Sequence, residues 1–212
     1  MKIIPAKTPE SIKLLFPNYI WDFYARKEKK IYLTFDDGPI PEVTEFVLDQ
    51  LNLFKAKATF FSIGENIKKH PEVFSRIIAE GHRIGNHTMN HLKARKSTFS
   101  EYVENVQECE EKISEHTEIK DKLFRPPYGQ LSKSKLTALR KRGYQIILWD
   151  VLSKDWDKKT SPEQCFENVI NNSKSGSIIV FHDSIKASKN LEFSLPKVLK
   201  YFTEKGYVFD KI

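Results

Sequence analysis

The chain is poor in cysteine and glycine and contains no long apolar run. Its 212 residues include two cysteines, Cys109 and Cys165, which do not form a CxxC pair. This spacing argues against a thiolate metal site, and it leaves open whether the two cysteines form a disulfide. No Ser/Gly-rich, low-complexity or repeated segment marks a linker, so the length predicts one domain with a sizeable core.

No segment reaches the roughly 20 consecutive apolar residues that a membrane-spanning helix needs. Residues 1–25 are interrupted by prolines and lysines, so they lack the apolar centre of a secretory signal. We therefore expect no membrane span and a cytoplasmic protein, or the mature part of a protein exported by other means.

The net charge of +7 and the pI near 9.2 favour an anionic partner in principle. However, the basic residues are spread along the chain, and no basic stripe interleaved with aromatic residues is visible. We expect a solvated basic surface and no nucleic-acid partner. The sequence gives no indication of the oligomeric state.

Strand patterns and helix patterns alternate about seven times from residue 30 onward. The segments "YQIILW" (144–149) and "SIIVFH" (177–182) contain apolar runs typical of strands buried on both faces, as parallel sheets require. The last helix is predicted over 195–204. This alternation predicts an α/β fold with a parallel sheet, and its repetition suits a barrel.

Chemically capable side chains follow the predicted strands directly. In parallel barrels the active site gathers at the carboxyl ends of the strands. Separate segments are therefore predicted to deliver their reactive groups to one rim: Asp36 and Asp37, His87 and His91, Arg125, Asp155, and His182.

Two of these segments indicate a metal site. His87 and His91, in "HTMNH", are four residues apart, and on one turn of helix both imidazoles would lie on the same side. With one carboxylate from "FDDGP", they complete a set of two histidines and one acid that leaves a coordination position open. One Asp can bind the metal while its neighbour serves as a base. Taken alone, the two Asp residues could equally be turn formers, and the two histidines could be ordinary surface residues.

The remaining candidates suit supporting roles. His182 can act as an acid if a carboxylate raises its pKa, and Asp155 is the candidate partner. Arg125 can pair with the free Asp and keep it ionised. The backbone amide of Tyr128, in the stiff "RPPYG" turn, is a candidate oxyanion donor.

Five motifs in this order resemble those of the polysaccharide deacetylase family, the NodB-homology carbohydrate esterases. They are "TFDDGP" (34–39), "HTMNH" (87–91), "RPPYG" (125–129), "DW" (155–156) and "IIVFHD" (178–183). The resemblance implies a distorted (β/α)₇ barrel, similar to a TIM barrel. It also implies metal-dependent removal of acetyl groups from N-acetylglucosamine in peptidoglycan, chitin or related glycans.

The family's site residues carry over position by position. The resemblance implies a metal triad of Asp37, His87 and His91, with Asp36 as the base and His182 as the acid. It assigns Arg125 to tethering the base, Asp155 to orienting His182, and Tyr128 to the oxyanion. The expected cofactor is one divalent cation, with zinc as first choice and cobalt, nickel or manganese as alternatives.

The fourth motif departs from the family pattern, because Leu152 stands where an additional Asp is common. This difference affects the distal wall of the site, and so the choice of substrate. The residues of the core chemistry are all present. The predicted organisation is an N-terminal extension packed on the barrel (1–25) followed by the catalytic domain (26–212). The alternatives are an O-acetyl esterase, a deacetylase of a small or lipid-linked sugar, a hydrolase of non-sugar amides, and a silent glycan-binding domain.

Overall fold

The computed structural model describes residues 5–24 and 28–212. The boundary predicted at residues 25 and 26 lies outside the described residues. The strands in the described part are β1 (Lys30–Asp36), β2 (Thr59–Ser62), β3 (Arg83–Asn86), β4 (Lys122–Phe124), β5 (Tyr144–Ile146), β6 (Val151–Leu152), β7 (Ile178–His182) and β8 (Val208–Phe209). The α-helices are α1 (Glu10–Leu15), α2 (Val43–Leu53), α3 (Gly64–Lys69), α4 (Pro71–Ala79), α5 (Phe99–Ser114), α6 (Lys133–Lys141), α7 (Pro162–Ile170) and α8 (Ser188–Glu204).

The strands form one curled parallel sheet in the order β5-β4-β3-β2-β1-β7-β6, and β8 pairs with the beginning of β1. The predicted distorted (β/α)₇ barrel is confirmed. Because the paired strands all run in the same direction, their carboxyl ends meet at one rim. In the described ranges, no helix has the length and apolar character needed to cross a membrane.

The middle strand β1 shows how the sequence pattern builds both sides of the sheet. Ile31, Leu33 and Phe35 belong to the main apolar cluster, which also contains residues of α2 and α8. Tyr32 belongs to a second cluster, which is composed of Phe61, Leu123, Ile147 and Ile178. Since side chains alternate along a strand, Asp36 lies on the same side as Tyr32.

The described N-terminal residues 5–24, here called the strap, lie along the gap between the two edge strands. The Ile20 amide donates to the Ile146 carbonyl at 2.9 Å, and the Thr8 amide donates to the Asp150 carbonyl at 2.8 Å. The strap therefore pairs with backbone groups at both edges, which would otherwise lack partners.

A buried carboxylate fastens the strap to the barrel. Asp150 accepts hydrogen bonds from Lys7, Lys13 and Ser177 at 2.7 Å each, and from Tyr24 at 2.5 Å. Burial alone would raise the pKa of Asp150, but the hydrogen bonds from Lys13 and Lys7 hold it below its ordinary value. The strap is thus joined to the sheet by backbone pairing and by buried charge.

Two predicted element boundaries were wrong, and one helix was missed. The strand expected over 144–149 ends at Ile146, and the short strand β6 follows it separately. Helix α3, which has no side-chain cap at its start, was not anticipated. Helix α8 begins at Ser188 rather than at Leu195. Pro196 suits the first turn of a helix, but the fully buried Leu191 shows that the preceding turn also packs on the core.

The cysteines are both free and buried, Cys109 on α5 and Cys165 on α7. The two cysteines therefore do not form a disulfide, a question that the sequence left open. Burial raises the pKa of each thiol to about 12. Both side chains thus remain neutral and belong to the apolar packing.

Candidate active site

Asp36 ends strand β1 inside the barrel and pairs with a fully buried arginine. Its carboxylate accepts a hydrogen bond from Arg125 Nη1 at 2.7 Å. The same nitrogen donates to Thr34, two residues earlier on the inner face, and Arg125 Nη2 donates to the Leu148 carbonyl at 2.9 Å. The guanidinium also lies over the Phe61 ring, 4.1 Å from its centroid. These contacts fix one orientation for the arginine.

This ion pair determines the charge of Asp36. Burial alone would raise the pKa of the carboxyl, but the adjacent Arg125 guanidinium brings it below its ordinary value. Asp36 is therefore an ionised carboxylate held in a position with little access to solvent. A group of this kind can accept a proton, provided that the proton donor reaches its free oxygen.

Asp37 leaves the strand with a positive φ of 83°, so its side chain departs from the alternation of β1. The turn is fixed by its neighbours: Asn66 donates to the Asp37 carbonyl at 2.7 Å, and the Gly38 amide donates to Asp183 at 3.0 Å. A Cβ on Gly38 would lie 1.9 Å from an Asp183 oxygen, so this position requires glycine. The side chains of the adjacent residues Asp36 and Asp37 therefore point in different directions.

His87 and His91 lie on a loop after β3, and the expectation of a helical turn there was wrong. Thr88 has φ +70° and His91 has φ +57°, which breaks any helical path between the two histidines. The loop is held by the first amides of α3, since Gly64 donates to the Thr88 carbonyl at 3.1 Å. A Cβ on Gly64 would lie 2.5 Å from the Met89 sulfur, which explains the glycine.

The loop nevertheless places both imidazoles next to Asp37. The His87 and His91 Nε2 atoms lie 3.7 and 3.5 Å from Asp37 Oδ1. One ligand atom from each of the three residues lies within 4.8 Å of the others, a set that can hold a metal ion. These are the three residues predicted as the metal triad.

Three features of this set fit a divalent cation. Asp37 Oδ1 is buried and has no hydrogen-bond partner among the described residues, so a cation would satisfy it. His87 Nδ1 lies 2.7 Å from the Arg125 carbonyl oxygen, which can only accept a hydrogen bond. Nδ1 therefore carries the proton, and the lone pair of Nε2 is free on the side of Asp37. Burial and the neighbouring His87 lower the pKa of His91, which favours the neutral, ligating imidazole.

His182 ends strand β7, next to Asp36 in the register of the sheet. Its Nδ1 lies 2.8 Å from Asp155 Oδ1, and its backbone amide donates to Asp155 Oδ2 at 2.6 Å. Burial alone would lower the pKa of His182, but the Asp155 carboxylate raises it to about 9. The imidazole is therefore protonated at neutral pH. Trp156 packs edge-on against it, with ring centroids 4.7 Å apart.

A groove of about 490 Å³ joins these groups at the carboxyl rim of the sheet. Its lining includes Asp36, Asp37, both triad histidines and His182, together with the apolar side chains Tyr128, Trp149, Leu152 and Trp156. Tyr128 has a positive φ of 61°, and its ring packs on His91 with centroids 4.9 Å apart. The eight predicted site residues therefore lie in the groove or, for Arg125 and Asp155, directly behind a residue that lines it.

Two supporting residues, the buried Asp183 and the half-buried Asn66, were not predicted. Asp183 accepts hydrogen bonds from the Gly38 amide and from Thr44, and burial raises its pKa to about 8. Asn66 holds the Asp37 carbonyl. Asp183 stands beside His182 in the "HD" pair, which offered a signal, whereas nothing in the sequence around Asn66 indicates its contact with the turn.

Comparison with known proteins decides the family. The family model described as polysaccharide deacetylase matches residues 24–147. A peptidoglycan-N-acetylglucosamine deacetylase of Bacillus cereus is 39% identical over 184 residues, which cover 86% of this chain and 85% of the relative. The chain belongs to the polysaccharide deacetylase family.

Two further comparisons agree with membership of this family. A chitooligosaccharide deacetylase of Azorhizobium caulinodans is 37% identical over 161 residues, which cover 74% of this chain and 75% of that relative. The crystal structure of the peptidoglycan N-acetylglucosamine deacetylase Bc1960 superposes with a TM-score of 0.87 at 33% identity, covering 97% of this chain and 95% of that one. The relatives are named as carbohydrate deacetylases, and the predicted family and enzyme class are confirmed.

Proposed function

We propose that the chain is a metal-dependent hydrolase that removes N-acetyl groups from glycans containing N-acetylglucosamine, such as peptidoglycan, chitin-like chains or related oligosaccharides. The observation that carries the proposal is the convergence, in one groove, of an acid paired with an arginine, a candidate metal triad and a histidine paired with a carboxylate. Each of these groups suits a different part of amide hydrolysis.

Asp37, His87 and His91 are the residues that would hold the cation. When bound there, a divalent ion supplies Lewis-acid polarisation of the acetamide carbonyl and lowers the pKa of the attacking water. Zinc is the first choice for two imidazoles and one carboxylate, and cobalt, nickel and manganese are alternatives.

Asp36 serves as the general base. Its pKa lies below the ordinary value because of Arg125, so it is ionised at neutral pH and can take a proton from the water that attacks the carbonyl carbon. Arg125 touches no substrate in this scheme. It keeps one oxygen of Asp36 occupied, which leaves the other for the proton.

His182 serves as the general acid. Cleavage of the carbon–nitrogen bond requires a proton on the departing sugar nitrogen, and an imidazolium with a raised pKa retains that proton until the step occurs. Asp155 binds Nδ1 and leaves Nε2 as the donating nitrogen. The products are acetate and the free amino sugar.

The remaining groove residues bind and orient the substrate. Trp149, Leu152 and Trp156 provide apolar surface for the faces of sugar rings. The backbone amide of Tyr128 is proposed to donate a hydrogen bond to the developing oxyanion. Leu152 takes the place of the additional Asp of the family motif and presents an apolar wall to the substrate.

Acetate release tests the proposal directly. The metal-loaded protein would be assayed on chitooligosaccharides, peptidoglycan fragments, acetylxylan and monomeric N-acetylglucosamine, before and after removal of the metal with a chelator. We expect release from an N-acetylated glycan, lost on chelation and restored by added zinc. Release from acetylxylan alone would replace the proposal with an O-acetyl esterase, and no release from any substrate would contradict it.

A further inference from the structure

A second cleft opens beside the catalytic groove and is lined by four lysines. Its volume is about 430 Å³, and its walls come from the loop after β6 and from the beginning of α8. We call this cavity the lysine cleft, and its four lysines are Lys158, Lys159, Lys186 and Lys189. Lys186 also lines the catalytic groove, so this side chain borders both cavities.

No described residue forms an ion pair with the lysines of the cleft. All four are exposed, and within residues 5–24 and 28–212 none of them takes part in an ion pair. Asp157, an acid of the same loop, accepts a hydrogen bond from the Lys159 backbone amide at 3.0 Å. Like charges gathered in a concave surface repel each other and raise the local concentration of anions.

The backbone that carries these lysines is fixed to the catalytic machinery. Asn190 is buried, and its side-chain amide donates to the carbonyls of Asp155 and Thr160 at 3.0 Å each. Asp155 is the residue that holds His182, and it contributes to the wall of the cleft. An anion in the cleft would thus lie beside the residue that holds the proposed acid.

We propose that the lysine cleft binds carboxylates carried by the glycan, on the sugar unit next to the one that is deacetylated. This inference rests on the proposed function, because it assumes that a sugar chain occupies the groove. The ammonium groups are flexible point charges, which suit a carboxylate presented in variable geometry better than a single rigid ligand. A neutral glycan gains nothing from the cleft, whereas an acidic glycan is bound more tightly.

Matched substrates test this proposal. The neutral tetramer of N-acetylglucosamine is compared with a tetramer in which alternate sugars carry an ether-linked carboxylate. A third tetramer has that carboxylate amidated with a short peptide bearing its own carboxylate. The measured quantity is the ratio of kcat/KM for each acidic tetramer to kcat/KM for the neutral one. We expect a ratio of about 10 at low salt, with a marked fall near 0.5 M salt because of screening.

The triple variant K158Q/K159Q/K189Q removes three charges without touching a residue of the catalytic groove. We expect its ratio to fall close to 1, whereas the control K120Q/K133Q/K197Q, which removes three exposed lysines elsewhere, keeps the wild-type ratio. The tetramer with the higher ratio shows whether the cleft binds the ether-linked carboxylate of the sugar or the carboxylate of the attached peptide. A wild-type ratio near 1 for both acidic tetramers, or an unchanged ratio in the triple variant, overturns the proposal.

Calorimetric binding of the same tetramers separates this inference from the proposed function. Tighter binding of an acidic tetramer, lost in the triple variant, supports the cleft even if no acetate is released. Release of acetate from the neutral tetramer, with equal affinity for all three tetramers, refutes the cleft and leaves the deacetylase proposal standing.

Discussion

Asp36 and Asp37 are adjacent in the chain, yet their surroundings give them different chemistry. Asp36 faces Arg125 inside the barrel, whereas the positive φ of Asp37 turns the next carboxylate toward His87 and His91. A sequence pattern can indicate that paired acids at a strand end divide their work. It cannot show that Asp183 and Asn66 are the residues that hold the turn in place.

Loss of a single imidazole should remove the metal. In His87→Ala we expect metal affinity and turnover to fall together, by on the order of 100-fold or more, because one of the three candidate ligands is lost. The bound metal is measured by mass spectrometry on the same sample that is assayed. The control His70→Ala removes an imidazole outside the groove and should keep both. Full metal content and rate in His87→Ala would show that the triad is wrong.

The pH profile should report the Asp155–His182 pair. The pKa of His182 is raised to about 9, so its acid form is present at neutral pH and is lost as pH rises through that value. Without the Asp155 charge, the largest contribution that raises this pKa is lost, while burial still lowers it. In Asp155→Asn the alkaline limb of the pH profile of kcat should therefore shift to lower pH by about one unit or more.

The neighbouring variant Asp157→Asn provides the control for this shift. Asp157 lies in the same loop and accepts a backbone hydrogen bond, which Asn can also accept, so the alkaline limb should remain in place. An alkaline limb that is the same in Asp155→Asn and in the wild type would exclude His182 as the titrating acid.

At the scale of elements, the sequence predicts order and type better than boundaries and loops. The alternation of strands and helices was enough to predict the barrel, because strands buried on both faces, such as β7, have a clear apolar pattern in the sequence. The loop that carries His87 and His91 was misassigned as a helical turn. Its shape depends on amides donated by α3 and on contacts with α5, which lie far away in the sequence.

The strap is the element whose contribution to stability can be measured most cleanly. Lys13 is buried and contacts both Asp150 and Asp22 at 2.7 Å. In Lys13→Met these carboxylates lose a charged partner while the apolar stem is retained, so the free energy of unfolding should fall by about 3 kcal/mol. Chemical denaturation checks this value.

An exposed lysine provides the comparison for the strap variant. Lys120→Met makes the same chemical change at an exposed position outside any ion pair of the described residues, and its free energy of unfolding should stay within about 0.5 kcal/mol of the wild type. Equal stabilities for Lys13→Met and Lys120→Met would mean that the buried network does not anchor the strap.

At the scale of the whole molecule, the site could be predicted because five segments distant in sequence share one edge of a parallel sheet. Parallel pairing brings the ends of β1, β3, β4 and β7 to the same rim, whatever the details of the helices between them. The lysine cleft was not predictable in this way. Its residues come from a loop and the beginning of a helix, and only their placement in three dimensions distinguishes them from the general basic surface.

Asp36 is proposed to take a proton from the attacking water while its neighbour Asp37 binds the cation, and Asp36→Asn tests the two roles together. Acetate release and bound zinc are measured on the same preparation of this variant and of the wild type. We expect one zinc per chain in both proteins, with turnover reduced by about 1,000-fold or more in the variant. A variant that keeps its zinc and substantial turnover would contradict the assignment of the base, and a variant that loses zinc would contradict the division of labour between the two acids.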